Sequence, residues 1–164
     1  MAGDDQLGAY LTDHLAGSTA GANLARQILD ESEGTPLGVF MAELVVDVES
    51  DQMVLENLME RLAIERGTLK HAATWAAERL SRVRFNPVSV GSRELALLLE
   101  LETLWMGVNG KLSLWESLDE LKATDPRLAS LDTATLISRA QSQAEGLRIQ
   151  RRAMAPLAFG AGAG

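Results

Sequence analysis

The stretch Ser92–Leu121, SRELALLLELETLWMGVNGKLSLWESLDEL, constrains the fold most, because its apolar residues run most of the way round a helix. Leu97, Leu101, Leu104, Val108, Leu112 and Trp115 form one seam at helical spacing. Leu98 and Trp105 widen that seam, while Leu95, Leu99 and Met106 carry apolar surface toward the other side. A surface helix needs one apolar stripe, so a helix apolar on most sides has to be surrounded by other helices. Ser92 is placed to cap its start. At ~1.5 Å per residue the stretch makes a rod of ~45 Å, the length of a long four-helix bundle. Gly107 and Gly110 sit inside it, each ~1 kcal/mol worse than Ala in a helix, and their expected use is close helix approach.

Around this helix the chain reads as further helices with short connections and no strand pattern. Asp4 or Asp5 is expected to lead into a first helix over Gln6–Asp30, with Leu7, Leu11, Leu15, Ser18, Ala22, Ala25 and Leu29 on one stripe. Its centre, Ala16–Ala25, is built of small residues, and Gly17 and Gly21 suggest a tight crossing with a neighbour. Thr35-Pro36 is a favoured helix start. The second helix is expected over Pro36–Glu65, with Met41, Val45, Val48, Gln52, Leu55, Met59 and Leu62 facing the core. Gln52 is the one polar residue on that seam, and Glu43, Asp47, Asp51, Glu56 and Glu60 are expected in solvent. Gly67 and Asn86-Pro87 bracket an accessory helix, Thr68–Arg84. Asp125-Pro126 turns the chain again, and Asp132 caps a last helix to about Met154, with Leu136, Ile137, Ala140, Ala144 and Leu147 inward. Residues 1–158 are therefore expected to be one helical domain and 159–164 a flexible Gly/Ala tail. Its architecture is an all-α, up-down-up-down four-helix bundle with one additional helix.

Charge and composition exclude several functions. The net charge is −8, and residues 1–60 carry twelve acids against one base, Arg26. An acidic surface opposes nucleic-acid binding, which needs a focused basic face. Residues 61–90 carry six bases against two acids, a complement that operates either between helices of one bundle or between molecules. The absence of Cys removes disulfides, thiolate metal sites and a Cys nucleophile. Met1–Tyr10 contains Asp4 and Asp5 and no positive side chain, unlike a signal segment, and no run of ~18 apolar residues could span a membrane. A cytoplasmic protein is expected. Of the two histidines, His14 lies beside the inward stripe of the first helix and His71 looks exposed. No Ser/His/Asp grouping, phosphate loop or HExxH occurs.

Three segments carry a resemblance. HLAGSTAGANL (His14–Leu24), VESDQMVLENL (Val48–Leu58) and ETLWMG (Glu102–Gly107) resemble the first three long helices of the ferritin-like superfamily, in its small stress-associated bacterial branch. Tyr10–Gly17 also resembles the start of bacterial proteins of unassigned function that open with Tyr-Leu-x-Asp-His-Leu-Ala-Gly. The resemblance implies a four-helix bundle. Ferritin-like enzymes hold two metals with a Glu from each of two helices and a Glu-x-x-His from each of the other two. Carried over, the first Glu position falls on Asn23, the second helix offers Glu49-Ser50-Asp51-Gln52, the third keeps Glu102, and the last offers Glu145 with Arg148 in place of His.

A dinuclear site needs ~4 carboxylates, and this set does not supply them. The expectation is a non-enzymatic structural or interaction protein that has lost the metal centre and binds no cofactor, with Asn23, Gln52 and Glu102 as a buried polar remnant. Its expected partner is a protein, a second copy in a homodimer that covers Leu95, Leu99 and Met106, with neither nucleic acid nor membrane. The alternatives are an iron- or manganese-carboxylate protein using Glu49, Glu102 and either Glu145 or His14, and an interaction module acting through Arg148, Arg151 and Arg152 of the last helix.

Overall fold

Thr35 and Pro36 begin a helix as their residue types require: the Thr35 hydroxyl accepts from the Gly38 N–H at 3.1 Å and Pro36 fills the first position. The computed structural model describes residues 2–64 and 91–160. Within them lie four long helices, α1 (Ala2–Glu31), α2 (Pro36–Arg61), α3 (Arg93–Leu121) and α4 (Thr133–Ala158), with a short 3-10 turn at Pro126–Leu128. No described residue forms a strand. No helix among the described residues is long and apolar enough to cross a membrane. Ser92 caps α3 by accepting from the Leu95 N–H at 3.1 Å, and Asp132 caps α4 by accepting from Thr135 at the same distance.

Three boundaries differ from those expected. The first helix is already under way at Ala2, so neither Asp4 nor Asp5 starts it. α2 stops at Arg61 rather than near Glu65. Ala63 takes a left-handed conformation (φ 55°), and the Ile64 N–H turns back to donate to the Met59 carbonyl at 3.0 Å, a Schellman closure. The Ile64 side chain then lies against Gly8 of α1. α4 continues past Met154 to Ala158 with Pro156 in its last turn, ending at the Phe159 cap. The accessory helix expected over Thr68–Arg84 lies outside the described residues, as does the end of the tail from residue 161.

Cross-helix contacts set the directions. Arg26 meets Glu49 and Thr19 meets Gln52, so α1 and α2 are antiparallel. Tyr10 donates to Ser117 and Arg93 pairs with Glu31, so α1 and α3 are antiparallel too. Lys111 meets Gln143 and Arg151 meets Glu102 across α3 and α4. Arg139 meets Asp51, while Phe40 lies against Gly146, across α2 and α4. Each of these four pairs is therefore antiparallel and the helices run up-down-down-up. The expected up-down-up-down order is wrong because apolar periodicity fixes which face is buried and says nothing of which end comes first. α2 ends and α3 begins at opposite ends of the bundle, so the connection that includes residues 65–90 joins one end to the other.

Two apolar clusters fill the bundle. One packs Leu11 and Leu15 against Leu55, Met59, Trp115 and Leu136, closed at its end by Leu128 and Leu131. The other packs Ala25 and Ile28 against Met41, Leu101, Leu104 and Leu147. The α3 seam is buried at Leu101, Leu104, Val108 and Trp115 and half-buried at Leu97 and Leu112. Trp105 is half-buried, with the Arg151 guanidinium 5.2 Å above its ring. Close backbone approach does occur, at Gly38. A Cβ there would overlap the Ser32 carbonyl oxygen, which accepts from Thr35 in the α1–α2 turn. Gly38→Ala is expected to lower stability by about 1–3 kcal/mol, read as a drop in the urea midpoint at unchanged slope.

Candidate functional site

The polar residues that matter each interrupt an apolar stripe once. On α2, Leu44, Val48, Asp51, Leu55 and Leu58 share a face, and Asp51 is 1% exposed. On α3, Lys111 stands between Val108 and Trp115; on α4, Gln143 stands between Ala140 and Leu147. These interruptions meet. Lys111 Nζ donates to Asp51 Oδ2 at 2.6 Å and also to Gln143 Oε1. Arg139 Nη1 donates to Asp51 Oδ1 at 2.8 Å, and Gln143 Nε2 to Asp51 Oδ2 at 3.3 Å. Burial pulls the Lys111 ammonium below its ordinary range, an effect opposed chiefly by the Asp51 charge. Asp51 was expected in solvent; instead its carboxylate is the buried centre of the bundle.

A second buried carboxylate, Glu100, lies toward the other end. Arg93 Nη1 donates to its Oε2 at 3.1 Å and also pairs with Glu31, while Gln27 donates to its Oε1 at 3.5 Å. Burial pushes the Glu100 carboxyl up, with Arg93 acting against that shift.

The positions singled out by the ferritin-like resemblance are not brought together. Asn23 is exposed and accepts from Arg26, which also donates to Glu49 at 2.7 Å. Gln52 donates to Glu56 at 3.1 Å and reaches Thr19 at 3.5 Å. Glu102 faces Arg151 at 3.4 Å, and exposed Glu145 holds Arg148 at 2.6 Å. The buried remnant expected from Asn23, Gln52 and Glu102 is therefore not formed: each of the three bonds a different neighbour. Among the described residues no group of three or more His, Asp or Glu side chains is placed to hold a metal ion. The donor set does not fit a dinuclear centre, because Glu49, Glu102 and Glu145 each face an arginine, apart from one another.

The small residues of α1 and α3 do something other than expected. A Cβ built on Gly17, Gly21, Gly107 or Gly110 would meet nothing within 4 Å. These glycines do not mark a tight crossing; they line a cavity of about 460 Å³ between α1, α2 and α3. That lies within the range of small-molecule sites, ~300–1,000 Å³. Its walls include Leu24, Leu44, Val48, Leu55, Leu104 and Leu114, with Asp51, Lys111 and Trp115 among the deeper lining residues. His14 lines it too, its ring edge-on to Tyr10 at 4.6 Å, and burial lowers its pKa against the raising effect of Asp13. Among the described residues, three buried side-chain polar atoms have no hydrogen-bond partner, and two of them, Trp115 Nε1 and Ser18 Oγ, belong to residues of this lining. An unsatisfied buried donor costs about 1–3 kcal/mol. Comparison with protein-family models, with curated proteins and with solved structures finds no significant match.

Proposed function

We propose that this chain is a non-enzymatic, ferritin-like bundle, a structural or interaction protein in which side-chain cations neutralise the carboxylates that the resemblance assigns to a metal centre. The observation that carries this reading is the pairing of each surviving carboxylate with an arginine: Glu49 with Arg26, Glu102 with Arg151, Glu145 with Arg148. Buried Asp51 is likewise held by Lys111 and Arg139. The single crossover from α2 to α3 supports the ferritin-like assignment, since ferritin-like folds are four-helix bundles with one such connection. The working form is a homodimer. Met106, 60% exposed, with half-buried Leu95 and Leu99 on the same helix, is the apolar surface that a twofold partner covers.

One preparation tests both parts. Protein purified without chelator is expected to carry iron and manganese far below one ion per chain and to sediment at twice the 17.7 kDa chain mass. Two bound metals bridged by Glu49 and Glu102 would overturn the first part, and a single monomeric species at micromolar concentration the second.

A further inference from the structure

We propose that the outward face of α2 is a docking surface for an amphipathic helix of another protein, one that carries Lys or Arg on both sides of its apolar stripe. α1 and α4 each pack against both α2 and α3, so α2 and α3 stand at opposite corners of the bundle. On one flank of α2, Glu49 accepts from Arg26 of α1; on the other, Ser50 accepts from Arg139 of α4. Positions midway between these contacts point away from the bundle. They hold Val39, Val46 and Met53, which are 67%, 66% and 58% exposed. Seven residues separate each from the next, and exposed Ala42 lies between the first two. Val39, Ala42, Val46, Glu49 and Met53 thus keep the alternating three- and four-residue spacing of a coiled-coil seam over ~20 Å. Apolar side chains exposed singly need no explanation; three in line, at the repeat by which helices pair, do.

Charge selects the partner. From Pro36 to Glu60, α2 carries six acids and no base. Glu43 flanks the stripe on the α4 side, and Glu56 and Glu60 flank it with Glu49 on the α1 side. Glu49 is held by Arg26 and Glu56 accepts from Gln52, while exposed Glu43 and Glu60 have no partner among the described residues. A second α2 would bring Glu49 against Glu49 if parallel, and against Glu43 if antiparallel about Val46, so like charges oppose another copy here. Lys or Arg beside the seam of a partner helix instead meets carboxylates on both flanks, the pattern by which coiled coils choose partners. This surface rests on the interaction-protein reading above and gives it a partner chemistry. The α3 surface covered in the homodimer lies at the opposite corner, so the dimer leaves this face open.

Three synthetic three-heptad peptides test it: one with Leu at the two seam positions and Lys beside them, one with Glu in place of Lys, and one with Ala in place of Leu. Each carries a fluorescent label, and binding to the full chain is read by anisotropy. The Leu/Lys peptide is expected to bind at least tenfold more tightly than either of the others, and less tightly as salt is raised. Val46→Gln combined with Met53→Gln removes the apolar stripe, leaves the charge unaltered and keeps good helix formers. This double variant is expected to weaken binding at least tenfold at an unchanged thermal midpoint. Glu43→Lys should weaken it at least fivefold, and Glu116→Lys, the same charge change on exposed α3 surface, less than twofold. No binding of the Leu/Lys peptide overturns the proposal, as do equal affinity for the Lys and Glu peptides, undiminished binding in the double variant, or equal losses in the two lysine variants. A lower sedimenting mass of the double variant shows that a second copy covers the stripe, and a lower thermal midpoint that another part of the same chain does; either overturns the proposal. The mass of the unaltered protein alone reports on the homodimer, so the two readings fail separately.

Discussion

Asp51→Ala is expected to destabilise the fold by about 3–5 kcal/mol, the range found when one partner of a buried ion pair is removed. The carboxylate is fully buried, and the Lys111 side chain that it holds is 13% exposed. In the variant Lys111 keeps only the Gln143 carbonyl oxygen, whereas Arg139, 30% exposed, can turn toward water. The loss therefore falls mainly on the lysine. Its amine in the folded variant then binds a proton less readily than in the unfolded chain. Folding releases protons in that case, so the variant's stability rises as pH increases toward the ordinary lysine range and falls again below it. Urea unfolding at several pH values checks both the size and the direction. The double variant Asp51→Leu, Lys111→Met should recover most of the loss, because well-packed apolar residues replace buried ion pairs at little cost. A loss below about 1 kcal/mol in Asp51→Ala would show that the site is wet, since exposed pairs contribute that little.

Leu101→Ala is expected to cost about 2–5 kcal/mol. Leu101 has no exposed surface and packs in the cluster of Ala25, Ile28, Met41 and Leu147. Half-buried Leu97, one turn earlier, provides the comparison: its truncation should cost clearly less. A loss of a few tenths at Leu101 in chemical denaturation would place this seam toward solvent and refute the bundle.

The apolar seams of α2 and α3 and the caps at Thr35, Ser92 and Asp132 were readable in the sequence, because local chemistry decides them. Helix order around the bundle was not, since no residue of α3 records which end of its neighbours it meets. Asp51 was missed for a different reason. It follows Glu49 and Ser50, and read within that polar run it looks solvated. Read by face, it stands three residues after Val48 and four before Leu55, a lone acid on an apolar stripe. Lys111 and Gln143 carry the same signal on their own helices. One polar interruption per stripe, repeated on three helices, was the available sign of a shared buried centre. The glycines misled because a missing side chain permits either contact or space, and only the packing on either side of them decides which.

The crossover between α2 and α3 divides the bundle into two antiparallel hairpins, α1–α2 and α3–α4, on a single tether. In assembly terms the protein is a pair of docking units whose encounter is intramolecular. Asp51 comes from one unit; Lys111, Arg139 and Gln143 come from the other. With proximity supplied by the chain, the charged contacts need not drive association. What they contribute is alignment: a slide of one hairpin along the other by a single turn, ~5.4 Å, would strand a buried carboxylate and a buried ammonium in apolar surroundings.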